Sequence, residues 1–189
     1  MNTPIRILGI AGSLRGGSYN RAALRAATEL VPKGATVETF ELDSISPFKQ
    51  DEEQNPPAKV TELKRRIREA DAILFVTPEY NWSVSGVLKN AIDWASRPLG
   101  DSATAPGMAN RPRSWVHPGA IFGTARAQNH LRQILVYLNM FPINQPEVLI
   151  SNAMDRFDQE GNLTDVLTRQ HIIGLLQNLV DWARRIGPK

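Results

Sequence analysis

Residues 71–77, DAILFVT, hold five consecutive apolar side chains, and a strand carries such a run only when both of its faces are covered. A second run of this kind, IRILGIA at 5–11, stands near the start of the chain. Between them lie a helical pattern at 18–31, with Leu24, Ala27, Leu30 and Val31 on one face, and an alternating segment, ATVETFEL, at 35–42. A second helical pattern at 58–70 spaces Val60, Leu63, Lys64 and Ile67 along one side. The segment 43–57 holds three prolines among acidic and amide residues and reads as a surface loop. After Thr77, a Pro-led loop becomes a helix with Val84, Leu88, Ala91, Ile92 and Ala95 inward, stopped at Arg97-Pro98. A stretch rich in Gly, Pro, Ala and Ser (99–112) is followed by a strand candidate, WVHPGAIFG, at 115–123 and a helix at 123–140. A short strand, PEVLI, at 146–150 and a closing helix at 163–186 complete the pattern.

Five strand candidates alternating with helices imply a parallel sheet covered on both faces, because parallel neighbours need right-handed crossovers. The expected fold is therefore a doubly wound α/β three-layer sandwich, with five strands in the flavodoxin-like order 2-1-3-4-5. One domain over residues 1–189 is expected. The chain has no cysteine, which removes disulfides, thiolate nucleophiles, Cys-ligated zinc and iron–sulfur clusters. Its three histidines, His117, His130 and His171, lie far apart without a metal-ligand spacing, so no metal is expected. The formal charge is +3. The densest basic run, LKRRIREAD at 63–71, includes its own Glu69 and Asp71 at helical spacing, and reads as a solvated helix face rather than a nucleic-acid surface. No apolar run approaches the roughly 18 residues of a spanning helix, and the N-terminal apolar run is too short for a signal peptide. A cytoplasmic protein without membrane attachment is the expectation.

Two loops carry the functional signal. In GSLRGGSYN at 12–20, Gly12, Gly16 and Gly17 allow backbone conformations and close approaches that a Cβ would obstruct, while Ser13, Arg15, Ser18 and Asn20 add donors where a helix begins. An anion, and above all a phosphate, suits that arrangement. The alternative is an ordinary strand-to-helix turn with Ser18 as N-cap. Neither a Gly-Lys-Ser/Thr closure nor a Gly-x-Gly-x-x-Gly spacing is present. In a doubly wound sheet, ligands sit beyond the carboxyl ends of the strands where the winding reverses, here between the first and third strands. The loop at 12–20 therefore meets a second loop, TPEYNWS at 77–83. A phosphate site beside a turn offering backbone donors, with Tyr80 and Trp82 as flat surfaces or interface aromatics, outlines a flavin mononucleotide.

These segments, GSLRGGSYN with TPEYNWSVSGVLKNAIDWASRP and GTARAQNHLRQIL, resemble the NADPH-dependent FMN reductase family, in its bacterial quinone, azo-dye and chromate reductase branch. The resemblance covers most of the chain. It implies non-covalent FMN, NAD(P)H as electron donor with NADPH favoured, and a homodimer or dimer of dimers. By the same resemblance Ser13, Arg15, Ser18 and Asn20 take the phosphate, with Gly12, Leu14 and Tyr19 completing that loop. Pro78, Glu79, Tyr80, Asn81 and Ser83 take the isoalloxazine, and Pro118 and Gly119 belong to a loop beside it. Lys89, Asn90, Asp93 and Trp94 match the motif but read as helix packing and dimer contacts. No catalytic side chain is required, since the hydride chemistry belongs to the cofactor.

The chain departs from the family pattern at its fourth strand, which usually runs apolar into Gly-Ala-Ser-Pro-Gly. Here Arg113, Ser114 and His117 interrupt it. One account is a reading-frame shift, because codons for Ala-Ile-Val-Gly-Ala-Ser-Pro, displaced by one nucleotide, read Arg-Ser-Trp-Val-His-Pro. As the sequence stands, His117 is a candidate for a donor near the flavin, against a plain polar loop. Asn129 stands where relatives often carry Tyr, which weakens any borrowed tetramer contact. Arg15, Arg97 and Arg111 are candidates for the extra phosphate of NADPH, against the plainer reading that they are solvated. The expected function is transfer of a hydride from NAD(P)H through FMN to quinones or similar acceptors, such as azo compounds, chromate or free flavin. The alternative is a flavin-binding electron carrier or signalling module without its own reductase activity, and after it a nucleotide binder without redox function.

Overall fold

The computed structural model describes residues 3–97 and 124–186. Strand β1 (Ile5–Ala11) lies at the centre of a three-stranded parallel sheet, with β2 (Ala35–Phe40) on one side and β3 (Ala72–Val76) on the other, in the order β2-β1-β3. Helix α1 (Tyr19–Glu29) connects β1 to β2, and α2 (Ala58–Glu69) connects β2 to β3. All five residues of β3 are buried, as the unbroken apolar run requires.

Alternation along β1 and β3 divides the interior into two layers. Ile7, Ala11, Leu74 and Val76 face α1 and α5 (Val166–Ile186), together with Leu24, Leu176 and Leu179. Leu8, Ile10, Ile73 and Phe75 face the opposite layer, made by α2, α3 (Gly86–Ser96) and α4 (Ala125–Tyr137) through Leu63, Leu88 and Leu131. Gly9 serves close packing, since a Cβ there would lie 2.5 Å from Leu24 Cδ1.

The pattern-derived helices and the first three strands are present, with two differences. First, the sheet has three described strands rather than five. Residues 146–150 belong to no strand, although Val148 and Ile150 are buried on alternate positions and pack against the α1/α5 layer. A strand needs a hydrogen-bonded neighbour as well as a pattern, and the expected neighbour at 115–123, like the Pro98 stop, lies outside the described residues. Second, the loop after Thr77 is a β-hairpin, β4 (Glu79–Tyr80) pairing antiparallel with β5 (Ser83–Val84). Lys64, within the basic run but on the inward side of its helical spacing, is buried at 3% exposure. Desolvation lowers its pKa, with Glu53 opposing that effect. Its neighbours Arg65 and Arg66 do form surface ion pairs, with Glu69 and Glu38.

Helix α5 is capped from outside its own span. Asp165 Oδ2 accepts from the Thr168 N–H at 2.8 Å and from the Thr168 hydroxyl, and Oδ1 pairs with Arg156. The Thr168 hydrogen bonds, helped by Arg156, bring the Asp165 pKa down from 3.8 to about 2. A depressed carboxylate stabilises the fold fully above its ordinary value and loses that contribution as pH falls through the folded one. We expect Asp165→Ala to lower the urea midpoint at neutral pH. The gap from wild type should close as pH falls from 3.8 to about 2, and urea titrations across this range measure it.

Candidate functional site

The parallel register pairs Ala11 with Val76, so the chain leaves β1 and β3 at the same edge of the sheet. Gly12 joins the two exits. Its N–H donates to the Val76 carbonyl at 2.7 Å, and its carbonyl accepts from Ser85 Oγ at 2.6 Å. Ser85 is also the N-cap of α3, its Oγ accepting from the Leu88 N–H at 3.2 Å. A Cβ on Gly12 would lie 2.9 Å from Thr77 Oγ1, 3.0 Å from Ser85 Oγ and 3.2 Å from Leu88 Cβ. Thus the glycine lets the first loop lie against the second.

Beyond Gly12, Ser13, Ser18 and Asn20 are buried, while Leu14, Arg15, Gly16 and Gly17 are exposed. The Ser18 N–H donates to the Arg15 carbonyl at 3.2 Å, folding the loop into the helix. Ser18 is the N-cap of α1, its Oγ accepting from the Asn20 N–H at 3.2 Å. The Arg15 guanidinium donates to the Gly17 carbonyl and lies 5.8 Å from the centre of the Tyr19 ring. No acidic residue occupies the first turn of α1, so the positive end of the helix dipole and the guanidinium face the same loop without a carboxylate in that turn. Gly16 and Gly17 serve differently from the sequence expectation. Neither has a left-handed backbone, and a Cβ on either would point into open space.

The second loop is a tight two-residue turn. Asn81 and Trp82 have φ of 49° and 64°, the left-handed pair that matches hairpin twist. That geometry is unusual for a tryptophan. Tyr80 and Trp82 stand exposed at 58% and 67%. Below the turn the hairpin is fastened to α4. Glu79 Oε2 accepts the N–H groups of Arg126 and Ala127 at 3.0 and 3.2 Å, while Oε1 pairs with the Arg126 guanidinium at 3.3 Å. Glu79 thereby does what Thr124, the formal N-cap of α4, does not, for the Thr124 side chain makes no cap bond. Arg126 lies over the Trp82 ring at 4.3 Å, and His130 Nδ1 is 3.0 Å from Ser83 Oγ.

The structure thus gathers Gly12, Ser13, Leu14, Arg15, Ser18, Tyr19 and Asn20 in one loop and helix start. It places Pro78, Glu79, Tyr80, Asn81 and Ser83 in the adjoining hairpin. His117, Pro118 and Gly119, with Arg111, Arg113 and Ser114, lie outside the described residues. Asn90 and Trp94 support the loop before α2 rather than the site. Asn90 Oδ1 accepts from the Phe48 N–H at 2.8 Å, and Asn90 Nδ2 and Trp94 Nε1 both donate to the Ser46 carbonyl. Lys89 pairs with Asp93 on the same helix. Ser85, Arg126 and His130 were not expected at the site, whereas Thr77 opens the second loop that the sequence already brings there. A Ser three residues before Leu88 carries a readable N-cap signal, but its bond to Gly12, 73 residues away, has no local signature.

Gly12→Ala is expected to cost about 1–3 kcal/mol through overpacking. Gly16→Ala, facing open space, should change stability by less than about 0.5 kcal/mol. Denaturant unfolding of the two variants checks the contrast.

Comparison with known proteins identifies the family. Residues 5–155 match the family model described as NADPH-dependent FMN reductase. The chain is 48% identical to an NAD(P)H-dependent FMN reductase of Pseudomonas aeruginosa over 98% of this chain and 99% of that protein. It is 41% identical to an NAD(P)H:quinone oxidoreductase of Solanum tuberosum, covering 98% of this chain and 96% of the other. Among solved structures, the flavoenzyme NAD(P)H:(acceptor) oxidoreductase FerB from Paracoccus denitrificans superposes with a TM-score of 0.84 at 28% identity, over 97% of this chain and 100% of that one. With most of its length matched by the family model and by relatives well above 30% identity, and with a flavodoxin-like α/β fold, the chain belongs to the NADPH-dependent FMN reductase family.

Proposed function

We propose that the protein is an FMN-dependent NAD(P)H oxidoreductase that reduces quinones or similar small acceptors. The observation that carries this reading is the Gly12 junction. The Gly- and Ser-rich loop after β1 and the exposed hairpin after β3 leave neighbouring parallel strands and are held together by the Val76 and Ser85 hydrogen bonds.

The residues present suit the cofactor. A doubly charged phosphate fits the amides at the start of α1, the Ser13 and Ser18 hydroxyls, Asn20 and the Arg15 guanidinium, because helix N-termini and arginine forks both favour phosphate oxygens. Open space beside Gly16 and Gly17 leaves room for it. Leu14 and Tyr19 flank this end. At the other end Pro78, Glu79, Tyr80, Asn81 and Ser83 offer backbone groups and ring surface to the isoalloxazine, with Pro118 and Gly119 assigned to the same pocket. The chemistry that FMN supplies when bound is the exchange of two electrons between NAD(P)H and the acceptor. The chain's part is to hold the phosphate, fix the ring against the hairpin and leave the exposed side open for two substrates in turn.

Three finer readings accompany this one. We extend the order β2-β1-β3 to the flavodoxin-like five-stranded sheet 2-1-3-4-5, whose fourth and fifth strands are the candidates at 115–123 and 146–150 and not the hairpin strands, the alternate burial of Val148 and Ile150 supporting residues 146–150 as the edge. The whole chain is taken as one domain, working in the cytoplasm as a homodimer or tetramer. Exposed Val136 and Tyr137 on α4 support self-association. Among the described residues no helix is long and apolar enough to cross a membrane.

The purified protein is expected to show flavin absorbance that bleaches when NADPH is added without oxygen and returns on adding a quinone. A carrier or signalling module would bind flavin without steady-state NAD(P)H oxidation. Removing one charged phosphate donor by Arg15→Ala should weaken FMN binding roughly 10- to 100-fold, with the unfolding midpoint nearly unchanged. Fluorimetric titration of the apoprotein measures this, and unchanged affinity would remove Arg15 from the site.

A further inference from the structure

The first turns of α4 grip the hairpin through three different side-chain chemistries, and the function described so far uses none of the helix residues involved. Glu79 is only 12% exposed at its side chain and takes both the first amides of α4 and the Arg126 guanidinium. That same guanidinium covers Trp82 at 4.3 Å, within the range where a cation and an indole face attract. One turn further along, His130 Nδ1 meets Ser83 Oγ at 3.0 Å. Arg126 and His130 are four residues apart and so share a helix face.

These contacts bracket the Asn81–Trp82 turn on both strands. Glu79 is on β4, Trp82 is in the turn itself, and Ser83 is on β5. A two-strand, four-residue hairpin does not hold its shape unaided in water, and a left-handed tryptophan adds a backbone cost. The turn's conformation must therefore be imposed by its surroundings. Half-exposed side chains with such specific geometry add little to global stability, yet they act directly on the orientation of the turn.

We propose that Arg126 and His130 are positioning residues for the isoalloxazine end of the FMN site, acting through Glu79, Trp82 and Ser83 to fix the 79–84 hairpin. This rests on the flavin reading above. It assigns the start of α4 a part in setting how the ring lies and therefore how readily the bound flavin is reduced.

The test compares wild type, Arg126→Ala and Arg126→Lys, with His130→Ala as an independent probe of the Ser83 contact. In the apoproteins, amide hydrogen exchange at residues 79–84 is expected to rise about fivefold or more in R126A and H130A, while residues 5–11 and the thermal midpoint stay as in wild type. R126K keeps a charge for Glu79 but loses the planar stack on Trp82, and should fall between wild type and R126A. After reconstitution with FMN, R126A should bind about fivefold or more weakly and show a displaced visible flavin band and an altered midpoint potential. Loss of a distant stabilising contact would not move the band or the potential while leaving the melting point in place. Exchange, spectrum and potential all equal to wild type in R126A and R126K overturn the inference alone. Failure of the wild type to take up FMN overturns the flavin reading, and this inference with it.

Discussion

Everything at the candidate site depends on the absence of a side chain at Gly12. Two strands that are neighbours in a parallel sheet must send their following loops out at the same edge, but nothing in sheet geometry makes those loops touch. Contact comes from a backbone that approaches Thr77, Ser85 and Leu88 more closely than a Cβ permits, fixed by one bond to Val76 and one from Ser85. Ser85 does two jobs with one hydroxyl, capping α3 and donating to Gly12. The start of α3 and the end of β1 are therefore located relative to each other within hydrogen-bonding tolerance. A cofactor spanning both loops needs that fixed separation, because binding is strongest when the two contact sets need no rearrangement.

Around this junction the two loops are held differently. The 12–18 segment is anchored mainly by its own turn, by the Ser18 cap and by Arg15 bonding back to Gly17, a local arrangement that leaves its outer backbone open. The hairpin is held by a remote element. Glu79 caps α4 from 47 residues away, and a charged cap at a helix N-terminus is favoured by both hydrogen bonding and the helix dipole. Helix α4 in turn is locked into the interior by Ala127, Leu131 and Leu135, all fully buried. The exposed tip bearing Tyr80 and Trp82 is thus connected through two charge-assisted steps to the hydrophobic layer beneath the sheet. That connection ties a short surface hairpin to the core.

The loops explain why redox chemistry is possible in a chain without cysteine and without a cluster of histidines in its sequence. The protein contributes shape, charge and a fixed backbone, and the reactive atoms come with the cofactor. The sequence match to reductases along nearly the whole chain fits that division.

The sequence by itself determined the elements with a one-dimensional signature. The continuous run of β3, the helical spacing of Val60, Leu63, Lys64 and Ile67, and the inward set Leu88, Ala91, Ile92 and Ala95 all follow from periodicity and are buried as expected, whereas Val84, expected on that helix, is buried on β5 instead because the hairpin takes up the chain before Gly86. The strand-to-helix turn with Ser18 as N-cap was legible too, because a hydroxyl just before a helical pattern is a local signal. Tertiary structure alone decided the rest. That Pro-Glu-Tyr-Asn becomes a hairpin with a left-handed Trp82, and that the Glu79 carboxylate caps α4 47 residues away, have no local signature. Residues 146–150 show the same limit, for an alternating pattern makes burial readable but a strand exists only beside its neighbour. Periodicity is a property of single elements, whereas a site is made by pairs of elements, and no local spacing encodes which pair will meet.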